Sequence, residues 1–157
     1  MSLKSHFKGT TDDINFRCKS VTQAGVLVTY ATTVGEVEVV ANPSGKKVAG
    51  LLLTGVVNRA VPSNMVSLKE PTGTVEFPRN FSKNEVHTSG HVRLLKIGEA
   101  ETNNVDASDT FAQGDKLYIT ANGEISKVQD NSGIEKVGHA LAAKDSDGYL
   151  RVYINIQ

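Results

Sequence analysis

The chain contains no tryptophan, one cysteine, only four prolines and no imbalance of charge, with 17 basic and 17 acidic residues. Each shortage narrows what it does. Without tryptophan, and with only four tyrosines, it lacks the aromatic platforms that a carbohydrate-binding role would want. With Cys18 alone, no disulfide forms within the chain, which points to folding in a reducing cytoplasm. Zero net charge leaves no global field to gather nucleic acid or an anionic membrane, so neither is expected as a partner. No apolar run approaches membrane-spanning length. The opening residues Met1-Ser-Leu-Lys-Ser-His-Phe-Lys-Gly9 lack the apolar centre of a secretory signal.

What is abundant is valine, threonine, glycine and asparagine, the composition of short strands and tight turns. Ile14-Asn-Phe-Arg-Cys18 alternates, placing Ile14, Phe16 and Cys18 on one face of a first strand, with Cys18 a small core residue. Val26–Tyr30, Glu36–Val40, His91–Ile97 and Tyr149–Ile156 read as further strands. Lys47–Val57 is continuously apolar; its two glycines and its valines favour a central strand over a helix. Ile134–Ala143 is a second such run, ambiguous by periodicity. Asn122-Gly123 predicts a hairpin between Lys116–Thr120 and Glu124–Val128, because both residues tolerate the positive φ of a type I′ turn. A two-residue loop would set Thr120 opposite Ile125 and Leu117 opposite Val128. About ten short strands without a clear helix predict an all-β fold, a small β-barrel or sandwich. Residues 1–13 form an extended arm, and 14–157 one barrel domain with a long loop insertion at about 58–90.

A faint internal echo runs through the chain. Ser44-Gly45 is followed by Val48-Ala-Gly50, and Ser132-Gly133 by Val137-Gly138. Duplication of a half-barrel would produce it, and so would shared turn chemistry.

Catalytic signatures are missing. There is no Gly-x-Ser-x-Gly, no phosphate-cradling loop and no dinucleotide fingerprint. Glu85, His87 and His91 are the densest candidate metal ligands, set against the simpler reading of exposed loop side chains. Asp145-Ser-Asp-Gly148 starts like a calcium loop but lacks the later acidic ligands, so it reads as a turn. His139, within an apolar run, reads as a core or interface histidine. No catalytic residue, metal or cofactor is expected.

Several stretches together resemble a family of small tailed-phage virion proteins that decorate, or cement, the head. They are Asn80-Phe-Ser-Lys-Asn-Glu-Val86, Gly90-His-Val-Arg-Leu-Leu95, Glu101-Thr-Asn-Asn-Val105, Gly114-Asp-Lys-Leu-Tyr118, Asn122-Gly123, Val137-Gly138 and Lys144–Val152. The N-terminal half is similar in kind, through Thr22-Gln-Ala-Gly25, Val48-Ala-Gly-Leu-Leu52 and Val56-Val-Asn58. Residues 58–80 match no decoration motif. The resemblance implies a non-enzymatic virion protein, made in the host cytoplasm. It would bind the major capsid protein on the head exterior and self-associate, as a homotrimer. A tail or baseplate adaptor, or a host-attachment fibre module, is the alternative. The expected anchors are Leu3, Phe7, Ile14 and Phe16, on an arm that adds a strand to an exposed sheet edge, and Met65, Phe77 and Phe81 in the central loop.

Overall fold

The computed structural model describes residues 3–56, 59–60, 68–70, 73–75, 86–87 and 90–156, with side chains for 16–56 and 91–156. The expected all-β barrel is what forms. Thirteen strands are present among the described residues. The first half contains β1 (Leu3–Cys18), β2 (Leu27–Tyr30), β3 (Glu36–Glu38) and β4 (Val48–Leu52). Four short strands follow: β5 (Arg59–Ala60), β6 (Leu68–Glu70), β7 (Gly73–Val75) and β8 (Val86–His87). Of these, β5 pairs with β8 and β6 with β7. The second half contains β9 (Gly90–Thr102), β10 (Lys116–Ile119), β11 (Ile125–Ser126), β12 (Lys136–Ala140) and β13 (Leu150–Asn155).

A nine-stranded sheet runs β1-β3-β2-β4-β9-β13-β12-β10-β11, and an added β1–β9 pairing closes its first five strands into a barrel. The interior of that barrel holds Cys18, Val26, Val28, Val37, Ala49, Leu52, Val92 and Leu94. Cys18 is fully buried, and burial pushes its thiol above the ordinary range, as suits a core residue. The two ambiguous apolar runs both prove to be strands, β4 and β12. All five residues of β4 are buried, because both of its faces are covered: Leu52 points into the barrel while Leu51 points out against the second half.

The second half repeats the first, register for register. In β2–β4, Leu27 pairs with Leu51 and Val28 with Gly50; after a bulge, Thr29 pairs with Val48. In β10–β12, Lys116 pairs with His139 and Leu117 with Gly138; after the same bulge, Tyr118 pairs with Lys136. Leu51↔Leu95 of β4–β9 corresponds to His139↔Tyr153 of β12–β13. The parallel pair Cys18↔Val37 corresponds to the parallel bridge Val105↔Ile125, which closes the second ring through the residues after β9. Gly25 and Gly114 have φ of 92° and 91°, and Gly35 and Gly123 have 82° and 76°. The echo in the sequence is therefore structural. The chain carries two small barrels that share β9, its N-terminal part closing the first and its C-terminal part opening the second.

The hairpin forms at Asn122-Gly123 and both residues have positive φ, but its register differs from the expectation. The Glu124 N–H donates to the Ala121 carbonyl at 3.3 Å, and the Thr120 N–H donates to the Glu124 carbonyl at 2.8 Å. Ile119 consequently faces Ile125, rather than Thr120 facing it. The slip by one residue puts both isoleucines into the core, at 1% and 0% exposure.

This turn is also the seam between the barrels. The space beside Gly123 is filled by the Leu27 carbonyl and the Val26 side chain, and the Asn122 N–H donates to the Val40 carbonyl at 2.9 Å. Thr102 Oγ1 donates to the Gly25 carbonyl and accepts the Asn104 N–H, each at 3.0 Å; Asn104 Nδ2 donates to the Gly123 carbonyl at 2.7 Å. The two echoing turns meet as well, with the Gly45 N–H on the Gly133 carbonyl at 3.1 Å and Ser44 Oγ on Asn131 Oδ1 at 3.1 Å. Leu27, Val48, Leu51 and Leu95, on the outer face of the first barrel, join one buried cluster with Ile119, Ile125, Ile134, Ile154 and Ile156. Each such side chain contributes about 1.5–3 kcal/mol relative to exposure, so apolar burial dominates the seam and the hydrogen bonds set its register. Thr102→Val keeps the shape but leaves the Gly25 carbonyl and Asn104 N–H unpaired, and should lower unfolding free energy by about 1–3 kcal/mol in a urea titration.

Candidate interaction surfaces

Among the described residues, no group of three or more His, Cys, Asp or Glu is placed to hold a metal ion. Of the three candidate ligands, Glu85 lies outside the described residues. His87 belongs to β8, where its backbone pairs with Arg59. His91 is exposed on β9, paired with Arg17 in the β1–β9 ladder. Asp145 behaves as the turn reading requires: its Oδ1 accepts the N–H groups of Asp147 and Tyr149 at 3.0 and 2.8 Å. The carboxylates that do carry contacts serve the frame. Asp109 accepts Ser126 Oγ at 2.6 Å and the Lys127 N–H at 2.9 Å, pinning the 103–109 loop to β11. Lys19 donates to Glu36, and Ser108 donates to Asp106, which holds each carboxyl below its usual range.

Three surface features remain. The first is β1 itself. Residues 3–13, expected as an arm, are strand throughout and run along β9, from Leu3↔Thr102 through Asp13↔Leu94, with several register shifts. Leu3, Phe7 and Ile14 therefore occupy strand positions. The opposite edge of this segment pairs with no described strand, since β3 meets β1 only at Arg17 and Cys18. Met65, Phe77 and Phe81 lie outside the described residues.

The second feature is the exposed end of the first barrel. Phe16 is half-buried and packs on the first core. Its ring meets Tyr30 edge-on at 5.6 Å, and Lys96 Nζ sits 5.5 Å from the Phe16 ring and 3.1 Å from the Tyr30 hydroxyl, to which it donates. Beside them the β2–β3 turn carries Val34, which is 99% exposed.

The third feature is the outer face of the second barrel. Cross-strand neighbours form a row Glu99, Tyr153, His139, Lys116 over four strands. His139 and Tyr153 are half-buried, with ring centroids 5.3 Å apart, and Arg151 bridges to Glu99 at 2.7 Å. An open groove of about 380 Å³ borders this face, lined by Val48, Glu135, Lys136, Gly138, His139, Asn155 and Ile156. His139 thus stands half-buried on this outer face. Reading from the residues alone passes over Tyr30, Val34 and Tyr153. The signal for them is the match of Gly90-His-Val-Arg-Leu to Gly148-Tyr-Leu-Arg-Val, which aligns the repeats and exposes where they differ.

No protein-family model matches the chain, and no curated protein matches it either.

Proposed function

We propose that the chain is a virion structural protein that binds the outer surface of a tailed-phage capsid and stabilises the head. It performs no turnover, contacts the major capsid protein and self-associates there as a trimer. The single observation that carries this reading is β1. A strand of sixteen residues whose first eleven offer one edge to no described strand is suited to capture by a neighbouring sheet. Two small barrels behind it give a stiff body, and the family resemblance supplies the partner. Affinity would come from main-chain hydrogen bonds along β1, and register from its alternate side chains.

The test is co-sedimentation of the purified full chain with assembled empty heads. The protein should pellet with heads, and deletion of residues 1–12 should weaken the association by about tenfold or more, since several main-chain hydrogen bonds of about 0.5–1.5 kcal/mol each are lost. Circular dichroism should retain the barrels, because residues 16–18 still pair with β9, and residues 17 and 18 with β3. A protein that ignores heads but pellets with tails or host cells belongs to the adaptor or fibre class instead. Unchanged affinity after the deletion removes the arm from the contact.

A further inference from the structure

We infer that the chain associates head-to-tail with a second copy of itself, the β2–β3 turn of one copy docking on the outer face of the second barrel of the next. This concerns self-association alone and stands whether or not the larger partner is a phage head.

The template is the seam inside the chain. There, the tip of the second barrel docks on the outer face of the first. The tip consists of Ile119, Asn122 and Gly123, and the face of Leu27, Leu51, Leu95 and the Val40 carbonyl. The repeat registers map each side onto its counterpart. Tyr30↔Val37 of β2–β3 corresponds to Ile119↔Ile125 of β10–β11, so Tyr30 matches Ile119; the β2–β3 connection is one residue longer, and counted back from the second strand, where the Glu36 N–H bonds the Thr33 carbonyl as the Glu124 N–H bonds that of Ala121, Val34 takes the place of Asn122 and Gly35 that of Gly123. On the face, Lys116, His139 and Tyr153 match Leu27, Leu51 and Leu95, and Val128 matches Val40.

Both counterparts are uncovered. A side chain added at Gly35 would meet nothing within 4 Å, whereas one at Gly123 would strike Leu27 and Val26. Among the residues whose side chains are described, four large apolar ones are exposed: Val21, Tyr30, Val34 and Val128. Three of them, Tyr30, Val34 and Val128, are the repeat equivalents of seam residues. A two-fold relation between the barrels would have buried both tips, but only one is buried. The relation is therefore heterologous, and applying it again adds copies until a ring closes or a chain runs on. The receiving face, with Lys116, His139 and Tyr153 where the internal seam has leucines, suits a contact between separately soluble copies. Exposed leucines there would be an aggregation liability.

The test is the solution mass of the full chain by analytical ultracentrifugation. The wild type should form an oligomer. Val34→Asp, on the tip, and Val128→Asp, on the face, should each sediment as a monomer with an unchanged circular dichroism spectrum. Mixed together, the two variants keep one intact tip and one intact face between them, and should yield a heterodimer and nothing larger. A monomeric wild type overturns the inference. So does an oligomer that survives both substitutions, or a mixture that stays monomeric.

Discussion

Gly138→Ala should destabilise the protein by more than about 3 kcal/mol, a large loss for a single added methyl group. A glycine inside a strand ordinarily weakens it, so alanine there would on general grounds add about 0.5–1 kcal/mol. At Gly138 the sign reverses. A Cβ built on its backbone overlaps the carbonyl oxygen of Tyr153 and crowds Ile154 Cα at 3.1 Å. Both obstacles belong to the main chain of β13, which is held by pairing with β9 along six residues and with β12. Main chain in a ladder cannot rotate aside as a side-chain tip can, so the ladder must part. The check is the midpoint of chemical denaturation followed by circular dichroism. A Gly138→Ala protein as stable as the wild type would mean that β12 and β13 do not approach as closely as described.

The second large effect is a contrast between equivalent glycines. Gly35→Ala and Gly123→Ala place a methyl group at the same turn position of the two barrels, with φ of 82° and 76°. The left-handed conformation costs an alanine about 1–2 kcal/mol at either site. Gly35→Ala should lose that much and no more, because its surroundings are open. Gly123→Ala should lose more than about 3 kcal/mol, because the added group also meets the Leu27 carbonyl and Val26 at the seam. Paired urea titrations measure the difference, which is the steric tightness of the seam separated from backbone strain. Equal losses would show that the second barrel's tip does not dock on the first.

Much of the architecture was legible in residues 111–128 and their counterparts. Alternation in Lys116–Thr120 and the Asn122-Gly123 pair predict a hairpin, and a hairpin with two positive-φ residues is there. Its register was not legible. Turn chemistry is satisfied by two loop closures one residue apart, and what selects between them is which isoleucines the core accepts. The apolar runs at 48–52 and 136–140 could have been helix or strand from periodicity alone. They are strands because each is hydrogen-bonded on both sides. The candidate surfaces were less visible still. Val34 is one valine among many in the sequence, and its 99% exposure is a property of where its turn projects.

By itself, the sequence determined the all-β class, the strand-and-turn punctuation and the burial of Cys18, because these follow from local propensity and alternation over a few residues. It also contained the duplication, as matching glycines at matching intervals. Only the tertiary structure decided that the two copies of the motif share β9, that the tip of the second seats on the face of the first, and that the reciprocal tip and face are left uncovered. The reason is physical. Which of two equivalent surfaces is buried depends on how the barrels meet, and that is set by contacts between residues far apart in the chain, such as Gly123 with Leu27 and Asn122 with Val40.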